Sequence, residues 1–235
     1  MSLLTVANDV ADIIGIERQV AIAAGTGGDA RQLFRLCKQE LSELARRTSW
    51  QRLTKENTFT SAATPGQGGA IPSDFLFLVN ETMFNYSENH EVFGPVGPRE
   101  WQLLQANESA GVGVQEVFRI RGNLLYLYPT PPAGDSYAYE YVTTYKVTDS
   151  TGDVEKVTYA LDTDIAKLDE ELVRLGVVWR WKNLKGLDYA EDFRMYEMQV
   201  ANSIARDGGK RTISMDGMRP PGAPMVGIPA GNWTP

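Results

Sequence analysis

The apolar side chains of this 235-residue chain change their spacing twice. They recur every three or four residues near both ends, alternate in the middle, and lose all period after Gly208. A three-and-four spacing puts side chains on one stripe of a helix, whereas alternation puts them on one face of a strand. One element cannot satisfy both patterns. The sequence therefore predicts helices, a β-rich stretch, further helices and an extended tail.

In the first helix Leu3, Val6, Val10 and Ile13 share a face. Gly15 interrupts it, and the stretch to Ala24 is expected either to extend the helix or to form a short strand. After Gly25-Thr26-Gly27-Gly28, Asp29 is expected as an N-cap, with Gln32 completing a capping box. Ala30, Leu33, Cys37, Leu41 and Leu44 then line one side of a helix. Arg31, Arg35, Lys38, Glu43 and Arg47 lie away from them. Far downstream, Ile165, Leu168, Leu172, Leu175 and Trp179 predict another helix, ended by Gly186. Asp188 with Glu191 reads as a second capping box. It opens a helix with a buried face of Tyr189, Phe193, Tyr196, Val200 and Ile204, closed by Gly208-Gly209 in a left-handed cap.

The middle behaves differently. Lys55–Thr60 is strand-like, Ser61–Ala70 is a loop, and Ile71-Pro72-Ser73-Asp74-Phe75 looks like a fixed lead into another element. Gly94-Pro95-Val96-Gly97-Pro98 is a turn into a short helix over Pro98–Gln105. Phe118 and Ile120 alternate with Arg119 and Arg121, Gly122-Asn123 turns the chain, and Leu124–Tyr128 returns as a hairpin. After a second turn at Pro129–Asp135, Tyr137, Tyr139 and Tyr141 mark one face of a third strand. The expected class is α+β. Residues 1–53 and 160–207 would form a helix bundle, 54–159 an inserted antiparallel β-rich domain, and 208–235 an extended C-terminal tail.

Composition narrows the function. A single cysteine, Cys37, allows neither an intrachain disulfide nor a zinc-finger set, and in its helix it reads as a small core residue. The one histidine, His90, lies in the polar stretch Ser87-Glu88-Asn89-His90-Glu91, which reads as a loop rather than a catalytic centre. A net charge of −7 argues against phosphate-driven nucleic-acid binding. Apolar runs are too short for a bilayer, which needs about 18–20 residues, so no membrane partner is expected. The first residues carry no basic segment of a signal peptide, and a soluble intracellular protein is expected. Gly25-Thr26-Gly27-Gly28-Asp29-Ala30 matches G-x-G-x-x-A, but Asp29 would repel a phosphate and no later βαβ units follow. Asp162, Asp164, Asp169, Glu170 and Glu171 lack the spacing of a calcium loop and suit the first turn of a helix. Arg119 and Arg121 are expected to be solvated or to meet acids on a neighbouring subunit. No metal, cofactor or catalytic residue is expected.

Six short segments, in order, resemble head–tail adaptor proteins of short-tailed bacteriophages. They are Leu3-Leu4-Thr5-Val6-Ala7-Asn8-Asp9-Val10-Ala11-Asp12-Ile13-Ile14-Gly15; Leu44-Ala45-Arg46-Arg47 with Trp50-Gln51-Arg52-Leu53; Ile71-Pro72-Ser73-Asp74-Phe75; Arg121-Gly122-Asn123-Leu124-Leu125-Tyr126; Leu187-Asp188-Tyr189-Ala190-Glu191; and Ala205-Arg206-Asp207-Gly208. The resemblance implies a virion protein, assembled in the host cytoplasm into a homododecameric ring. Such a ring binds the portal protein, joins it to the tail nozzle and surrounds the channel through which DNA leaves; tail fibres are a further expected contact. It also implies a helix bundle with an inserted β-rich domain and a C-terminal extension.

Physical considerations suit that role. A closed ring needs two different complementary patches on each copy. A negative wall keeps duplex DNA from adhering as it passes. From Gly208 to Pro235 there are six glycines and five prolines, a composition suited to an extended segment that orders on contact. Lys210, Arg211 and Arg219 against Asp216 make this tail slightly basic, with Met215, Met218, Met225 and Trp233 as adaptable anchors. Arg211, Met215, Met218, Arg219, Pro220 and Trp233 are the candidate portal-interface residues. Other readings are a tail-completion or nozzle protein and, in a different class, a tail-associated polysaccharide hydrolase.

Overall fold

A computed structural model describes residues 1–106 and 115–208. Its helices are α1 (Leu3–Ile14), α2 (Gly28–Arg47), α3 (Pro98–Ala106), α4 (Glu170–Lys185) and α5 (Ala190–Asp207). Its strands are β1 (Thr54–Thr60), β2 (Gly66–Gln67), β3 (Phe75–Leu78), β4 (Phe84–Asn85), β5 (His90–Glu91), β6 (Val117–Arg121), β7 (Leu124–Tyr128), β8 (Ser136–Thr143), β9 (Val147–Thr148), β10 (Glu155–Lys156) and β11 (Ile165–Ala166). All pairings between these strands are antiparallel, and the class is α+β as the periods imply. Among the described residues no helix is long and apolar enough to cross a membrane.

Helix α1 starts on Ser2, whose hydroxyl accepts the Thr5 N–H. Leu3, Val6 and Val10 are buried, but Ile13 is 50% exposed because it falls at the edge of their stripe; Ile14 packs inward instead. Residues 16–27 neither extend α1 nor form a strand. Their buried backbone is satisfied from outside: Asp162 accepts the N–H groups of Ile22 and Ala23 at 2.9 and 2.7 Å. The five expected inward residues of α2 are all buried. Asp29 is not its cap, because the helix opens on Gly27 without a side-chain bond. Asp29 sits inside the first turn, where the dipole favours it, 3.7 Å from Lys185.

The later helices also begin differently from expectation. Ile165 is not helical; it pairs with Thr148 in the small β10–β9–β11 sheet, and α4 opens only at the Asp169 cap. Gly186 closes α4 in the left-handed conformation, φ 69°. At α5, Asp188 accepts the Ala190 N–H, but Glu191 pairs with Arg194 rather than completing a box. Tyr196 and Val200 are buried in α5, whereas Tyr189 and Phe193 stand at the rim around Trp179, with Phe193 40% exposed. Gly208 is extended rather than left-handed; Gly209 lies outside the described residues.

Helix α4 packs against α1, α2 and α5, around one core that also takes Trp50, Val142, Val147 and Tyr159. The N-terminus is stitched to the same region. Leu3 and Leu4 donate backbone hydrogen bonds to Asp164 and Asp162, and Ser2 bridges Ile165. Glu40 of α2 is fully buried and accepts from Arg180 of α4 and Tyr196 of α5, each at 2.5 Å. Burial pushes its carboxyl up, against the pull of Tyr196 and Arg180. Burial and this carboxylate push the Cys37 thiol up to about 12, so it is inert.

The β region turns on β8. Strand β1 pairs along one edge from Thr54↔Val142 to Thr60↔Ser136, while β3 and β4 share the other edge and β5 follows β4. Tyr137, Tyr139 and Tyr141 do line one face, over a second core with Phe118, Leu125 and Leu127. Each hydroxyl is held: Tyr137 by Glu116, Tyr139 by the Ala70 carbonyl, Tyr141 by Asp74. The β6–β7 hairpin forms as expected, turning at Gly122-Asn123 with both residues at positive φ. It does not continue into β8, however; β2, inside the expected loop, pairs with β7.

Two predictions follow from these packings. A Cβ on Gly176 of α4 would lie 2.1 Å from the Glu40 carboxyl carbon. Alanine usually stabilises a helix by about 1 kcal/mol over glycine. Here, displacing Glu40 from Arg180 costs about 3 kcal/mol, so Gly176→Ala is expected to lower stability by about 2 kcal/mol in urea titrations. Asp164 is the second case. Burial would raise its carboxyl, but Lys156 and the N–H groups of Ala160 and Leu161 outweigh that and hold it below the usual range. A depressed acid stabilises the fold above its ordinary pKa, and the contribution fades as pH falls through the depressed value. Asp164→Asn should therefore cost about 2–3 kcal/mol at neutral pH, with the deficit closing below about pH 4.

Candidate functional site

The six candidate interface residues, Arg211, Met215, Met218, Arg219, Pro220 and Trp233, lie outside the described residues. What the structure does show is the place from which they depart. Asp207, the last residue of α5, accepts the Gln51 N–H at 2.8 Å. This bond holds the end of α5 against the short 3₁₀ turn Gln51–Leu53 that follows α2. Beside it runs a groove of about 660 Å³, walled by Trp50, Arg52, Leu168, Glu170, Ser203 and Arg206. The groove mixes an apolar floor with charged lips, a composition suited to a peptide segment rather than to a buried small ligand.

A second hollow of about 660 Å³ opens in the β region beside His90. His90 is not in a loop; it belongs to β5 and pairs with Asn85 of β4. Its Nε2 lies 2.8 Å from one oxygen of Glu116, whose other oxygen accepts the Tyr137 hydroxyl at 2.5 Å. Glu88 stands 3.6 Å from Nδ1. Burial and the Glu116 carboxylate both push the Tyr137 phenol up, so it remains a hydrogen-bond donor. Both oxygens of Glu116 are thus engaged by partners that hold strands together. No serine, threonine or cysteine hydroxyl or thiol is hydrogen-bonded to His90, and the arrangement of a base on a nucleophile is missing among the described residues.

The other motifs have structural duties. The strand that the glycine motif requires at Val20–Ala24 does not form, and Arg31 closes the loop by donating to the Thr26 carbonyl. Asp162 and Asp164 do not converge on a common point for a cation; they bond the backbone of Ile22 and Ala23 and that of Ala160 and Leu161. Arg121 lies over the Tyr126 ring, 4.7 Å from its centroid.

The surface also carries apolar side chains of a kind that contact would cover. Leu184, Leu187 and Tyr189 lie exposed at the α4–α5 corner. Met195 and Met198 stand on the side of α5 away from α4, Met198 being 45% exposed. Sequence periodicity does not single out Met195 and Met198, because it identifies only the face of α5 that meets α4.

No curated protein matches the chain. A family model does, from residue 1 to residue 223, and its span takes in α1 to α5, every strand and the first part of the segment beyond Gly208. The chain belongs to the SU10 adaptor protein family, a structural family of phage head–tail adaptors.

Proposed function

We propose that the protein is one subunit of a homododecameric ring that joins the portal to the tail nozzle and surrounds the DNA exit channel. The family match over residues 1–223 carries this reading. Adaptor proteins are parts of the virion, and their work is contact with other virion components. In this reading residues 1–53 and 160–207 act as a helical body, 54–159 as a β-rich unit facing the next layer, and 208–235 as a portal-docking tail.

In this reading the tail begins at Gly208, which is extended rather than closed in a left-handed cap. Arg211, Met215, Met218, Arg219, Pro220 and Trp233 supply it with charge and adaptable apolar anchors. An extended segment that orders on contact gains interface area without needing a core of its own. The acidic balance of the whole chain suits a passage for duplex DNA.

Removing residues 209–235 should leave a folded protein with unchanged helix content that no longer joins portal rings. Circular dichroism and co-sedimentation with purified portal rings check the two halves. Portal joining by the shortened chain would sink the tail assignment.

A further inference from the structure

The outward face of α2 carries Arg31, Arg35, Lys38 and Arg46 within one stripe, about 22 Å from end to end at 1.5 Å per residue. Lys146 joins them from the β side. It is 8% exposed, with its ammonium 3.3 Å from Ser42 between Lys38 and Arg46. None of these five cations makes an ion pair among the described residues. Glu40 faces inward to Arg180 and Tyr196, and Glu43, three residues before Arg46, is occupied by Arg180 and Arg47. Burial, with the charge of Arg46, holds the Lys146 ammonium below the ordinary lysine range. A buried ammonium without a carboxylate calls for an anion.

The complementary charge lies on another face of the same chain. Strand register fixes which side chains share it. Glu56 is directly opposite Glu140; Ala138, two residues from Glu140, is opposite Phe84; and Phe84 is opposite Glu91. Paired residues point to the same side of a sheet, as do residues two apart. Glu56, Glu140 and Glu91 therefore stand together on the side away from the three tyrosines. Glu81 is close enough to raise the Glu91 carboxyl further after burial has done so. Phe84 and Tyr86 lie exposed among them, the Tyr86 hydroxyl reaching Glu56 at 3.2 Å. None of the four carboxylates has a cation partner among the described residues.

Both faces are thus unfavourable in an isolated subunit. Like charges directly opposite in a sheet, or four apart on a helix as Arg31 and Arg35 are, repel each other. We propose that the α2 cation face of one copy docks on the Glu56–Glu140–Glu91 sheet face of the next. The contact is heterologous, so each copy offers one face forward and one back, as a closed ring requires. It rests on the ring reading above and assigns that ring its subunit contact. Phe84 and Tyr86 supply apolar area at its centre, and the glutamates and arginines set the register.

The test is a charge exchange read by sedimentation velocity at low salt, with and without portal rings. Arg35→Glu with Arg46→Glu reverses one face, and Glu56→Lys with Glu140→Lys reverses the other; all four side chains are exposed. Circular dichroism establishes that each variant is folded. Each variant alone should self-associate at least about tenfold more weakly than the wild type. Mixing the two should restore association, because each reversed face then meets its reversed complement. The chain carrying all four changes should also associate. On portal rings, either single-face variant should bind as scattered copies where the wild type fills the ring.

Variants that fill portal rings as the wild type does, or a mixture that fails to recover, would overturn the docking alone. So would a wild type that stays monomeric both free and on portal rings. Retention of duplex DNA by the cation face, lost in Arg35→Glu with Arg46→Glu while self-association persists, would reassign that face to nucleic acid. Self-association through these faces by a protein that ignores portal rings would leave the docking intact and remove the adaptor role.

Discussion

Glu40 is out of contact with water and holds three helices at once, reaching from α2 to Arg180 on α4 and Tyr196 on α5. Its partners are 140 and 156 residues away in the chain. A buried carboxylate is costly unless fully hydrogen-bonded, so α2, α4 and α5 are tolerated only in the arrangement that brings both donors to it. Gly176 belongs to the same constraint, because its missing Cβ leaves the volume that the carboxylate fills. The Arg47–Glu197 pair, with both bonds at 2.8 Å, adds a second α2–α5 tie about two turns farther along α2.

Acidic side chains are used in two ways. Asp74 takes the hydroxyls of Tyr141 and Thr143 and the ammonium of Lys55, and these outweigh its burial to hold it below the usual carboxylate range. Asp164 does the same for Lys156 and two backbone N–H groups; Glu116 accepts the Tyr137 hydroxyl and lies 2.8 Å from the His90 Nε2. These acids serve as fixed internal acceptors. The net charge of −7 is therefore carried outward by other residues, and the sheet face of Glu56 and Glu140 holds part of it in concentrated form.

The sequence made some of this legible and hid the rest for physical reasons. The inward stripe of α2 and the tyrosine face of β8 follow from period alone, because both bury one side of a regular element. The helix or strand expected up to Ala24 does not form, and the helix expected from Ile165 opens only after Asp169. The backbone of these stretches is held by Asp162 and Asp164 and by short bridges to β9, partners that no local pattern encodes. Arg31, Arg35 and Lys38 were recognisable as outward-facing. That Arg46 lacks a carboxylate is not legible, since Glu43 lies three residues before it and only the tertiary fold turns that acid toward Arg180. The candidate tail residues rest on composition alone and lie outside the described residues.

The stitching of Leu3 and Leu4 to Asp164 and Asp162 has a consequence for biosynthesis. The inward side chains of α1 meet α4, which leaves the ribosome about 160 residues later. At a synthesis rate of 5–20 residues per second, the first helix waits roughly 10–30 s with Leu3, Val6 and Val10 uncovered. This subunit therefore completes the packing of α1 only after α4 has been made. Its β region, whose strand pairings lie between residues 54 and 166, can form first. A nascent chain stalled before residue 170 would therefore display an α1 with only α2 to cover it.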